Sequence, residues 1–354
     1  MDYQQYFLPY TRKINQFLDR FFTEKITQSK TITPVASEIW RNIQNFISGG
    51  KRIRGGLVKL GYECFKKPDE KNLLSISAAL ELTHGAILIH DDIIDQSEFR
   101  HNQPTVHKKY ESEHIKRYQR RSASHYGEGM AIVAGIVGYY GAISLINQGK
   151  FPPDLKLKAI DQLANFMTYT CYGEGLDVDL ACRQEIKEKD VLTIHTYKTV
   201  YYTFIGPLKI GGILAGAGEK ELKKFEDYGV PAGIAFQLQD DILGVFGDEK
   251  ELGKPIGDDI KEGKNTLLYT QAIKKGNISQ RKKLTSLWGN KKITLKQVQK
   301  VRKIIKKTGS LAYSQKLARE LVKKGKKAVP KITNNKNLQE VFSSLADFII
   351  ERKR

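Results

Sequence analysis

The stretch LLSISAALELTHGAILIHDDIID, residues 73–95, decides the fold. Gly85 is its one turn-forming residue, and apolar side chains recur at Leu73, Ile76 and Leu80 and again at Ile87 and Ile94. That spacing is helical. The run closes on Asp91, Asp92 and Asp95. On a helix, Asp91 and Asp95 share a face, and Asp92 points about 100° away. Like charges four residues apart repel, and a helix C-terminus disfavours carboxylates. A bridging cation resolves both costs; a solvated acidic helix end is the plain alternative.

Working outward, a second cluster closes another helical run: Gln237, Asp240 and Asp241 in FQLQDD. Carboxylates are rarely buried unless paired or bound to a cation. Two such clusters predict one site built from two facing helices, with hard oxygen donors of the kind Mg²⁺ takes alongside phosphate. Residues 155–182 and 221–246 read as further helices. TVYYTFIG (199–206) is β-branched and aromatic but sits in a helical context, so it reads as a buried helix. Residues 110–126 read as an exposed loop or frayed helix end. No β–α alternation is present, which favours an all-α fold, a bundle of helices in one domain over 1–354. The motif-bearing core spans about 40–270, and a basic helical part 271–354.

The 354-residue chain carries a net charge of +20. Residues 261–354 hold 26 Lys and Arg against 5 Asp and Glu, so the basic character is theirs. A solvated lysine-rich face is the plain reading. Attraction to an anionic membrane surface or steering of anionic substrates is the sharper one. Nucleic-acid binding is disfavoured, because the lysines come in helical pairs with few aromatics for stacking. The mean hydropathy is −0.44, and no continuous apolar run approaches the ~20 residues that span a bilayer. Three cysteines without a CxxC pair and the lack of a signal-peptide pattern at the N-terminus predict a cytoplasmic protein.

Four more segments carry charge in suggestive places. GGKRIRGG (49–56) sets Lys51, Arg52 and Arg54 among glycines, which fits an anion-binding turn into a helix. FRHNQPTVH (99–107) places Arg100 and His101 just beyond the first acidic cluster. YKTVYYTF (197–204) sets Lys198 and Thr199 before an apolar stretch. FGDEKELGKPIGDDIKEGKNTLL (246–268) brings Lys254 and Lys264 among carboxylates, a composition able to complete a diphosphate site. Each has an ordinary loop or surface reading when taken alone.

Taken together, GGKRIR, HDDIID with Arg100 and PTVH, YGEGLD (172–177), KTVYYTF and FQLQDD…GKPIGDDIKEGKNTLL resemble the trans-prenyl diphosphate synthases, or polyprenyl synthetases. The resemblance covers roughly residues 49–268. It implies a helical bundle around a deep cavity, a homodimer, and Mg²⁺, three ions per active site. It assigns metal binding to Asp91, Asp92, Asp95, Asp240 and Asp241, and allylic diphosphate to Arg100, Lys198, Gln237 and Lys254; Lys264 matches a second substrate-binding lysine downstream, and the Lys198–Thr199 carbonyls would steady the allylic cation. It assigns isopentenyl diphosphate to Lys51, Arg54, His84 and His101. Catalysis falls to Asp91, Asp95, Asp240, Lys198 and Lys254. The implied partners are isopentenyl diphosphate and a dimethylallyl, geranyl or farnesyl diphosphate. Peripheral membrane contact would fall to the basic C-terminal part.

Four positions depart from the family pattern: His101 where Arg is frequent, Gly244 where the second motif has Asp, Glu174 where Gln is usual, and Ile136 in place of an acidic residue. Chain length in this family follows side-chain bulk before the first motif. Ala86 and Ile87 are small or aliphatic there, which predicts geranylgeranyl diphosphate or a longer product. Phe166 or Tyr169 could supply a floor from another helix. A non-catalytic partner subunit and a terpene cyclase are the alternative readings. The last residues, from Glu351, are expected to be a frayed, solvated tail; the alternative, which the resemblance implies, is a basic tail folded over the isopentenyl diphosphate site.

Overall fold

The computed structural model describes residues 1–100, 102–118, 120–183, 185–247 and 257–352. In chain order the helices are α1 (Tyr3–Lys30), α2 (Pro34–Ile47), α3 (Ile53–Glu63), α4 (Glu70–Ile94), α5 (Val106–Arg117) and α6 (Ala123–Gln148). Then come α7 (Pro153–Ala181), α8 (Glu188–Ile194), a π-helix (His195–Ile205), α9 (Gly206–Leu214) and α10 (Glu219–Phe246). Six helices follow between Asp258 and Glu351. Among the described residues the only sheet is a hairpin of β1 (Phe99–Arg100) and β2 (Gln103–Pro104), with Arg100 opposite Gln103. The fold is all-α. Contacts group the chain into two units, residues 3–162 with 207–217, and residues 163–206 with 218–354.

In the first unit α4 is the central helix, packed most extensively on α6 and also on α1, α2 and α3. Asp69 caps its N-terminus by accepting from the amides of Lys71 and Asn72. Leu73, Ile76, Leu80, Leu82 and Ile89 are buried along it. The α6 helix approaches closely because Gly138 lies against Ala86: a Cβ on Gly138 would sit 3.0 Å from that of Ala86. Contrary to the expectation from sequence, α4 and α6 are both long and apolar enough to cross a membrane. Averaging over a helix hides the single polar residues and glycines that break each apolar run. The apolar window of α4 is 78% buried inside the protein, as in a core helix, and that of α6 is 44% buried. The segment expected to be a loop is helical through Arg117, because Tyr110 and His114 turn inward and are buried.

In the second unit α10 packs on the π-helix and on helices Ser310–Ile332 and Lys336–Glu351. The expected buried helix over 199–206 is present, wound as a π-helix with Thr199, Val200, Phe204 and Ile205 buried. π-Helical winding is rare and concentrates at functional sites. A cluster of Ile242, Val245, Ile260, Leu268, Leu284, Val298 and Val301 secures the C-terminal end of α10. The lysine-rich helices are amphipathic: Leu295–Lys307 buries Val298, Val301 and Ile305 while its lysines stay outside.

Candidate active site

In the first unit, one stripe of α4 carries His84, Ile87, Asp91 and Asp95, residues three or four apart. Asp91 and Asp95 bring carboxylate oxygens within 4.8 Å of each other. Asp92 is fully buried. Arg100, presented by β1, donates from Nε to Asp92 Oδ1 at 2.8 Å and from Nη2 to Asp91 Oδ2 at 3.0 Å. Burial works against the guanidinium charge, but Asp92 and then Asp91 raise its pKa and hold it charged. Asp92 is therefore an anchor for Arg100. The helix-end repulsion is met by an arginine, and Asp91 and Asp95 remain partly exposed. These are hard oxygen donors on one helix face, the donor chemistry that Mg²⁺ requires.

Ala86 is fully buried against α6 and does not share the stripe of Asp91. Ile87, four residues before Asp91 and half-buried, does. At the start of α3, Lys51 is exposed and Arg54 is buried. The intervening Arg52 is buried in a left-handed conformation, φ 50° and ψ 44°, which costs a non-glycine residue about 1 kcal/mol or more.

In the second unit, Lys198 on the π-helix donates to Glu174 at 3.1 Å and to Asp177 at 2.9 Å, both from α7. The helices meet there because residue 173 is glycine; a Cβ would overlap the backbone of Lys198. Glu174, the departure from Gln, thus becomes an ionic partner of Lys198. Thr199 donates to Gln237 Oε1 at 3.0 Å, and the Gln237 amide donates to Asp241 Oδ1 at 3.3 Å. Asp241 is buried, with His195 Nε2 3.2 Å from its Oδ2. Like Asp92, it is turned inward and anchored. Asp240 is the open carboxylate of the pair, its side chain 44% exposed.

Arg352 reaches Asp240. Its Nη2 donates to Asp240 Oδ1 at 2.6 Å and to the Phe236 carbonyl at 2.9 Å, and the guanidinium lies 3.9 Å from the Phe236 ring centre. The expected frayed tail is therefore docked on α10 as far as Arg352, where a cation and an aromatic ring meet an acidic helix. Gly244 also has its reason. A Cβ there would overlap the carboxylate of Asp259, which is buried in that space. Lys264 lies 3.0 Å from Glu262 and 3.6 Å from Asp259. His101 and Lys254 lie outside the described residues. Glu81 and His195 escaped the sequence reading, and so did the pairings of Arg52 with Glu81, Asp177 with Lys198, Asp259 with the space at Gly244 and Arg352 with Asp240, because each joins residues remote in sequence. Of the two rings considered as a cavity floor, Phe166 is buried against Gly206, and Tyr169 packs on Tyr197 and Tyr201.

Residues 37–308 match the description of the polyprenyl synthetase family. A geranylgeranyl diphosphate synthase from Sulfolobus acidocaldarius is 32% identical over 312 residues, covering 87% of this chain and 89% of that one. A short chain isoprenyl diphosphate synthase from Methanothermobacter thermautotrophicus is 31% identical over 346 residues, 97% of each chain. Among solved structures, the geranylgeranyl pyrophosphate synthase of Corynebacterium glutamicum, complexed with isoprenyl diphosphate and magnesium, superposes with a TM-score of 0.92. It is 26% identical, and the match covers 99% of this chain and 100% of that one.

Proposed function

This chain belongs to the polyprenyl synthetase family and is a prenyl diphosphate synthase, and from that premise we propose that it joins isopentenyl diphosphate to an allylic diphosphate through the residues described above. The observation that carries the assignment is the stripe of His84, Ile87, Asp91 and Asp95, with Arg100 at its acidic end. Asp91, Asp95 and Asp240 would hold Mg²⁺, three ions by the family resemblance. When bound, Mg²⁺ neutralises diphosphate and makes it a better leaving group.

Arg100 and Lys198 add fixed positive charge to the allylic side, Lys198 with its ammonium held by Glu174 and Asp177. Lys51 and Arg54 hold isopentenyl diphosphate at the start of α3. The bond from the allylic carbon to diphosphate oxygen breaks, and the isopentenyl double bond attacks that carbon. The released diphosphate takes the proton lost from the new chain. The Lys198–Thr199 carbonyls steady the allylic cation while the apolar surroundings exclude water.

A product of geranylgeranyl length or longer agrees with the geranylgeranyl diphosphate synthases among the relatives and with the aliphatic Ile87 below Asp91. Purified chain is incubated with Mg²⁺, labelled isopentenyl diphosphate and dimethylallyl, geranyl or farnesyl diphosphate, and the products are sized. Elongation with diphosphate release is expected, and Asp91→Asn and Asp240→Asn should each lower kcat by about 10²-fold or more. Hydrocarbon products, or turnover only with an added subunit, would overturn the proposal.

A homodimer is part of the same reading. Its support is an apolar stripe on α6, with Ile132, Ile136, Tyr140 and Ile143 exposed at spacings of four, four and three. Ile136, the departure from an acidic residue, lies in that stripe. Light scattering at twice the chain mass is the expected result. The lysine-rich C-terminal helices support reversible binding to anionic vesicles; pelleting that is insensitive to salt would refute it.

A further inference from the structure

We infer that Arg52 is the positioning residue of the isopentenyl diphosphate cradle, acting through Glu81 of α4; this rests on the placement of that substrate at Lys51 and Arg54. Arg52 occupies the junction between the Gly49–Gly50 turn and α3. Its backbone is left-handed, a conformation that residues with a Cβ avoid unless their surroundings impose it. The side chain supplies the imposition. Nε donates to Asn15 Oδ1 at 2.8 Å, Nη2 donates to the Ile47 carbonyl at 2.7 Å, and Nη1 lies 3.8 Å from Glu81 Oε2. Three segments, α1, the end of α2 and α4, are thereby tied to one guanidinium. A lysine ammonium lacks the planar fork needed to hold them together.

Glu81 connects this clamp to the helix that follows. Its Oε1 accepts from the Gly55 amide at 2.8 Å, while Ser77, one turn earlier on α4, donates to the Gly55 carbonyl at 3.0 Å. Both backbone groups of Gly55 are thus fastened to α4. Gly55 follows Arg54 directly, and Thr11 fixes the other flank by donating to the Lys51 carbonyl at 3.1 Å. Lys51 and Arg54 are therefore displayed from a backbone set by Arg52, Glu81 and Ser77. The same helix carries His84 one turn after Glu81. Both charged side chains of the clamp are 93% or more buried, Arg52 at 7% exposure and Glu81 at 3%. Arg52 points into the protein and away from solvent, and so it orients the neighbouring cations without touching diphosphate.

The test separates positioning from bulk stability. Arg52→Gly keeps the left-handed backbone accessible and removes only the clamp. Arg52→Lys keeps a charge without the fork, and Glu81→Gln keeps an acceptor for Gly55 without the charge. Steady-state kinetics with each substrate varied in turn, together with thermal midpoints, are measured for all three. Arg52→Gly is expected to raise KM for isopentenyl diphosphate about 10- to 100-fold, the scale of a misplaced positioning group. KM for the allylic substrate should stay within about twofold, and Arg52→Lys should recover part of the loss. A lowered thermal midpoint with both KM values unchanged, or an equal rise in both, would make Arg52 merely structural and overturn the inference. Lys51→Ala runs alongside. If it leaves KM for isopentenyl diphosphate unchanged, the cradle assignment falls and this inference with it. If it raises that KM while Arg52→Gly does not, only the inference falls.

Discussion

Restoring the family's aspartate at position 244 should harm this protein, and the smaller change Gly244→Ala shows why. In an exposed helix interior, Gly→Ala stabilises by roughly 0.5–1 kcal/mol. At Gly244 the new Cβ would overlap Asp259 Oδ2 and lie 2.9 Å from Oδ1. The Asp259 carboxylate is buried, at 8% exposure, and must leave its place beside Lys264. Overpacking of this kind costs about 1–3 kcal/mol. Subtracting the helix term leaves a net loss of about 1 kcal/mol, which lowers the thermal midpoint of a chain this large by about 2 °C. In an Asp259→Ala background the obstruction is gone, and the same Gly244→Ala change should raise the midpoint. The sign reversal is the signature. Coupling in the double-mutant cycle should be about 1–3 kcal/mol, measured by thermal unfolding of all four proteins. If the two effects add, or if Gly244→Ala stabilises the otherwise unchanged protein, Asp259 does not fill the space at 244.

Ile87→Phe should shorten the main product, since Ile87 lies one turn below Asp91, whereas Ala86→Phe should lower the thermal midpoint because Gly138 already touches Ala86; chain length of the extracted product and thermal unfolding check the pair. Arg352→Gln should tighten Mg²⁺ binding severalfold, because it removes a cation that competes for Asp240; calorimetry without substrate reads this directly, and weaker binding would contradict it. Burial, aided by Glu63, pushes the Cys64 thiol up to about 12, so at pH 8 a thiol reagent should modify Cys171 and Cys182, both exposed, and spare Cys64.

The parts legible in sequence are those governed by local rules. Helical periodicity located α4, α7 and α10 to within a few residues, because each buries a continuous apolar stripe. Charge spacing singled out Asp91 and Asp95 for the same reason: four residues make one turn. What stayed hidden depends on contacts remote in sequence. Asp91 and Asp92 look alike in the string, yet one is partly open and the other is sealed beneath Arg100. Asp240 and Asp241 divide in the same way, the inward member held by Gln237 and His195. Gly244 reads as a lost carboxylate until Asp259, fifteen residues on, is found in its space.

These contacts share a physical purpose. Carboxylates near the C-terminal ends of α4 and α10 meet unfavourable helix dipoles and one another's charge. In each unit an arginine from elsewhere in the chain offsets the cost: Arg100 on Asp91 and Asp92, and Arg352 on Asp240. Their inward neighbours are fixed as well: Asp92 by Arg100, and Asp241 by the Gln237 amide with His195 3.2 Å away. It also follows that the two arginines are not equivalent. Arg100 sits on a buried partner and stays with it, while Arg352 rests on a carboxylate that is 44% exposed and is the one that a divalent cation can displace.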